Sequence, residues 1–404
     1  MNVKAHSLLY AIYICLLISI ICGALLYFNN LYTLLNQHYN LKENLLIQNQ
    51  SLVNFALGEK LKNEVYEVDE PIIYQHSFHT QVHGLFTVLS AQSIFKNDTV
   101  SSTHLVGSYT KNKTALYVSN FSQKLSYTGN VFIDGDCAIP SPNIETAYLI
   151  NQPSNLKINE KKRLSSFNLP PLQSQFNTLF NNQKTIKTTL NSFDQDNKKY
   201  YYNSFVSTTK EVNVPSTITG ATYKGNLILT NKDSIRIEAN NTLEDVILMA
   251  PKITLCKGFK GTLQAFASNK IIIESNVFLT YPSVVCIKNE VPAESSITIK
   301  ENSKILGSII LFGNQLEDIS KNSISVHKNT LIIGDIYCTG KVDFQATLYG
   351  SLYANKVFHQ TQSAIYDNLI GNATINLYKK PSYYIGVPLF NNTTTSYGII
   401  KKVK

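Results

Sequence analysis

The sequence predicts a mainly β protein: an N-terminal transmembrane helix with an amphipathic extension, then a β-rich region and a β-solenoid (β-helix) domain. Three observations predict it. Residues 8–28 (LLYAIYICLLISIICGALLYF) contain no charge. Beyond them, apolar side chains recur at alternating steps of three and four. Between residues 215 and 377, short β-branched runs return at intervals of 18 to 27 residues.

The 21-residue apolar run spans about 30 Å as a helix, the thickness of a bilayer's hydrocarbon core. Tyr10, Tyr13 and Tyr27 lie toward its ends, where aromatic side chains favour the interface. Lys4 and the α-amino group precede it, and no Lys or Arg follows until Lys42, so the positive-inside rule puts the N-terminus in the cytoplasm. The run exceeds the apolar core of a cleaved signal peptide, and no small-x-small site follows it. Residues 1–28 therefore read as a cytoplasmic tip and anchor, with membrane lipid as the first partner. In a bacterium this is the inner membrane, with the bulk of the chain periplasmic or extracellular.

Residues 29–58 read as a helical extension. Leu31, Leu34, His38, Leu41, Leu45, Gln48, Leu52 and Phe55 form its seam, either of a short coiled coil or of a helix packed on its own domain, with Gly58 as its C-terminal cap. This layout resembles the N-terminal helix of type IV pilin-like and pseudopilin-like proteins, and that resemblance implies a pilus-like or secretion-apparatus component. The stretch Lys4-Ala5-His6-Ser7 lacks the glycine of a prepilin cleavage site, and no Glu precedes Glu43. A plain signal anchor is therefore the preferred reading of the segment.

Residues 59–150 form a small β-rich region after a charged linker (59–70). Its runs at 72–78, 85–95, 105–109, 115–118 and 130–133 are punctuated by Gly84, Gly107 and Gly129, and read as a small sheet or as the opening turns of the later β domain. Asp134-Gly135-Asp136-Cys137 reads as a turn, because a calcium loop needs further acids at fixed spacing. Residues 151–213 are expected as a partly helical connector, on the spacing of Leu172, Phe176, Leu179 and Phe180.

Residues 214–377 carry the repeats. Runs begin at Ile235, Ile253, Ile271, Ile297, Ile324 and Val342, each followed after a turn by a second run. Gly258, Asn276, Asn302, Asn329 and Gly340 mark turns. Such units cannot bury their apolar faces singly and predict stacking around a shared core. A β-sandwich is the alternative. The units from Ile332 to Val342 and from Leu348 to Val357 resemble the repeats of bactofilins, polymer-forming cytoskeletal β-helix proteins, which implies a β-helix and self-association. Residues 378–404 are expected to cap the last unit and then fray.

Charged residues are only 16 % of the chain, and the net charge is +9 without a basic stripe on a nucleic-acid motif, so nucleic acid is not expected as a partner. The abundance of Asn, Thr and Tyr suits an extracytoplasmic surface, and an A/T-rich genome enriches several of the same residues. Cys137, Cys256, Cys286 and Cys338 have no zinc spacing and read as buried, with disulfides open to them beyond a membrane. No catalytic, cofactor-binding or metal-binding residue is assigned. The expectation is a non-enzymatic envelope structural or assembly protein, partnered by other envelope proteins or by itself. The alternatives are a β-helix carbohydrate-active enzyme, for which Glu238, Glu274 and Glu301 would stack on one face, and a glycan-binding or adhesive surface protein.

Overall fold

The computed structural model describes residues 6–59, 61, 74–109, 112–149, 154–176, 199–289, 293–313, 319–390 and 396–403. The fold is mainly β, with one long helix, His6–Gly58. The chain divides into two compact units: Met1–His79 with Ser90–Ser102, and Thr80–Leu89 with Thr103–Lys404.

In the first unit the helix is long and apolar enough to cross a membrane. Its first half exposes side chains such as Leu16, Ile20 and Leu26, a surface that water does not favour. Its second half buries Leu45, Asn49, Val53 and Ala56. The Asn49 amide donates to the carbonyls of Ala91 and Val100 (3.1 and 3.3 Å), and the Ser102 hydroxyl donates to Asn49 Oδ1. Of the two readings of the seam, a helix packed on its own sheet describes this half. The helix ends at Gly58, as expected.

The strands Gln75–His83, Phe86–Phe95 and Asp98–Tyr109 pair in sequence order. Ser396–Val403 adds to the last of them, antiparallel, with Thr103 opposite Val403. This part of the tail is therefore paired rather than frayed, because an open strand edge supplies its hydrogen-bond partners.

In the second unit the strands form parallel ladders. The pattern is parallel because each apolar run pairs with its counterpart one repeat later. Ile235 lies opposite Ile253, Ile253 opposite Ile271, Ile271 opposite Ile297, Ile297 opposite Ile324, Ile324 opposite Val342, and Val342 opposite Val357. The longer intervals keep the same register, since Ile271 still meets Ile297 and Ile297 still meets Ile324. A second ladder runs Leu229, Leu248, Ala265, Val285, Ile309, Ile336, Leu352. A third includes Leu279, Ile305, Ile332, Leu348 and Ile375. All these side chains are buried in one apolar cluster.

The second ladder buries its other face too. Phe266, Cys286, Ile310, Tyr337 and Tyr353 pack in a separate cluster with Phe86, Leu105, Phe176, Leu389 and Val403. That double burial explains the near-continuous apolar runs of its strands.

Two corrections concern the order of the strands. Residues 114–164 do not open the ladders. They extend them past the C-terminal repeats: Leu352 pairs with Leu116, Leu116 with Cys137 and Cys137 with Lys162, while Ile375 pairs with Ile133 and Ile133 with Ile158. The expected capping position of the tail is thus taken by 114–164. The ladders also take in Asn155–Ile158, Lys162–Leu164, Tyr200–Asn203 and Lys210–Asn213, all from the expected connector. Parallel edge strands at the last repeat need partners, and any segment with the same period can supply them. The helix expected around 172–190 lies largely outside the described residues.

Candidate functional site

Three groups of side chains were candidates for chemistry. The first is the row of acids on the repeats. Glu238 follows the strand Ser234–Ile237, and Glu274 follows Lys270–Ile273. Both reach Arg236, whose Nε donates to Glu238 Oε1 at 2.8 Å, and whose Nη1 lies 3.6 Å from Glu274 Oε1. Glu274 also accepts the Lys257 backbone N–H (2.9 Å). Cys256 occupies the place between the two acids, its N–H on the Ile237 carbonyl. Its thiol is pushed up to about 11, first by burial and then by its hydrogen bond with Glu238. Hydrogen bonding from Arg236 holds Glu238 below the usual carboxylate range. A glycosidase acid needs a raised pKa, and Glu238 has the opposite. Glu301 falls two residues past its strand, Ser295–Ile299, and takes a different place: its carbonyl accepts the Asn276 N–H. The structure thus brings Glu238 and Glu274 together around one guanidinium and leaves Glu301 outside the cluster.

The second group is Asp134-Gly135-Asp136-Cys137. Asp134 ends one strand and Asp136 begins the next, with Gly135 between them at φ +133°. Asp134 accepts from the Asn159 and Asn376 amides (3.2 and 3.1 Å). Cys137 is buried, which raises its thiol to about 12. Among the described residues no cluster of three or more His, Cys, Asp or Glu side chains could hold a metal. All six cysteines are free; Cys286 and Cys338 are buried with raised pKa values. Cys256 lies just past the strand Lys252–Leu255.

The third group was not found from the sequence. A cavity of about 230 Å³ is lined by Asn112, Arg163, Asp335, Tyr353, Lys380 and Phe390, among others. These residues come from four distant stretches, and the extension of the ladders by 114–164 brings them together. Lys380 Nζ lies 2.8 Å from Asp335 Oδ2, and Asp335 Oδ1 accepts the Ser351 N–H. Asn112 Nδ2 donates to the Tyr353 hydroxyl and to Ser351 Oγ. The sequence offered no signal for it, because its residues lie far apart in the chain. A larger, more open cleft of about 620 Å³ lies between Glu211, Asn231, Met249 and Phe266. Burial raises the Glu211 carboxyl there.

Scans against family models, curated proteins and solved structures each found no match.

Proposed function

We propose that the chain is a membrane-anchored, extracytoplasmic structural or assembly protein of the cell envelope. Its body, on this reading, is a β-solenoid, and its N-terminus lies in the cytoplasm. One observation carries the solenoid reading: equivalent apolar residues pair in parallel register along three ladders, and the turns at Gly258, Asn276, Asn302 and Asn329 all have positive φ. A sandwich would pair its strands largely antiparallel. The exposed apolar helix supports the anchor, and the charge asymmetry around it supports the orientation. The resemblances to pilin-like helices and bactofilin repeats favour an assembling role, with other envelope proteins or a second copy as partner.

The enzyme reading loses support at Glu238, where the hydrogen bond from Arg236 favours the charged form. The test is an affinity pull-down from detergent-solubilised native membranes, with mass spectrometry of the bait's N-terminus and of co-purifying proteins. An intact Met1 terminus with envelope-assembly partners is expected. A chain trimmed after Phe28 and recovered alone would overturn the reading.

A further inference from the structure

The 230 Å³ cavity goes beyond a scaffold's needs. Its charges do not cancel: Arg163 and Lys380 face the single carboxylate of Asp335. Asp335 is already engaged by Lys380 and by the Ser351 N–H. Arg163 spends one N–H on Thr114 Oγ1 (3.1 Å), and no ion pair to it is found among the described residues. A guanidinium fork with free donors matches a planar carboxylate in two parallel hydrogen bonds. The Tyr353 hydroxyl, which accepts from Asn112, adds a neutral polar group. The Phe390 ring, 5.0 Å from that of Tyr353 and edge-on to it, supplies an apolar wall.

The lining selects among anions. A phosphate's second negative charge would meet Asp335, whereas a single carboxylate leaves the balance near neutral. The volume is below the roughly 300 Å³ at which drug-sized pockets begin, so the occupant is one ring rather than a chain. Hydroxyl groups on that ring would match the neutral polar lining, and its C–H face the aromatic wall.

We infer that this cavity binds one carboxylated, hydroxylated sugar ring, a hexuronate unit, with Arg163 clamping the carboxylate, Lys380 beside it, and the Tyr353 hydroxyl, held by Asn112, facing the ring's hydroxyls. The ring is either a free acid or the terminal unit of an acidic glycan. The inference is independent of the assembly role proposed above.

Isothermal titration of the detergent-solubilised full chain tests it, with glucuronate, galacturonate, galacturonate methyl ester, glucose and a short oligogalacturonide as probes. A uronate is expected to bind, with the methyl ester and glucose at least about tenfold weaker, near 1.4 kcal/mol. Arg163→Gln is expected to lose at least tenfold, and Arg236→Gln, at the distant acid row, to lose nothing. Thermal midpoints of the variants separate lost binding from lost folding, and bound uronate should raise the wild-type midpoint but not that of Arg163→Gln. Tighter binding of the oligomer identifies a glycan end, and tighter binding of the monomer a free acid. No binding of either uronate, equal binding of acid and ester, or wild-type affinity in Arg163→Gln would each overturn the inference.

Discussion

Two kinds of residue carry the backbone of this fold at its corners. Gly334 and Gly350 have φ of +148° and +155°, and a Cβ on Gly350 would stand 1.7 Å from the Gly334 carbonyl oxygen. Gly350→Ala should therefore destabilise the chain by about 3 kcal/mol or more, read as a shift in urea midpoint. The Asn turns are more forgiving: Asn329 sits at φ +59°, a conformation Asn tolerates and Gly adopts freely. These corners were legible in the sequence, since Asn276, Asn302 and Asn329 recur in phase with the strands. The reason for Gly in Ile332-Ile-Gly and Leu348-Tyr-Gly was not, because it is a contact between stacked carbonyls rather than a local preference. His83 was equally silent. It is buried, its Nε2 donates to the Asp245 carbonyl (2.9 Å), and burial lowers its pKa to about 4. A depressed pKa means that the folded chain binds this proton less readily than the unfolded chain. Stability is thus fully present above pH 6.5 and falls as the pH drops toward 4, by about 3 kcal/mol. Denaturation of His83→Gln alongside the wild type between pH 4 and 7 should show a flatter pH dependence in the variant, and parallel curves would refute the assignment.

At the scale of elements, the helix shows what periodicity can and cannot say. Steps of three and four located a helix ending at Gly58 and picked out Leu41, Leu45 and Leu52 on its inner side. They also picked His38, Gln48 and Phe55, which are exposed, and missed Asn49, Val53 and Ala56, which are buried. A seam written for a helical partner is narrower than the face that a sheet covers. A polar residue such as Asn49 is read as solvent-facing until its partners are known. Asn49 satisfies two strand carbonyls and accepts from Ser102, so Asn49→Ala leaves buried groups without partners. The expected cost is about 1–3 kcal/mol, with faster amide exchange confined to residues 90–102 and the second half of the helix. Unchanged exchange there would mean that the helix does not depend on this contact.

For the whole molecule, the repeat period was readable because buried Ile, Val and Leu must stack in register to share one core. The order of stacking was not. Residues 114–164 carry the same strand chemistry as the repeats, so nothing local says whether they precede residue 200 or follow residue 377. Long-range pairings decide it: Ser119 Oγ donates to Asn355 Oδ1 (2.8 Å), the Tyr117 and Tyr353 rings stack, and Asn112 binds Tyr353. The uronate cavity was hidden for the same reason, since it exists only where those stretches meet. The central claim is that this β body is held outside the cytoplasm by an uncleaved N-terminal helix. The most direct measurement is protease digestion of spheroplasts from the native host, expressing the chain with one tag before Met1 and another after Lys404. The account predicts loss of the C-terminal tag, survival of the N-terminal tag on a membrane-bound fragment, and a single full-length mass before digestion. A protected C-terminal tag, or a soluble chain lacking residues 1–28, would contradict it.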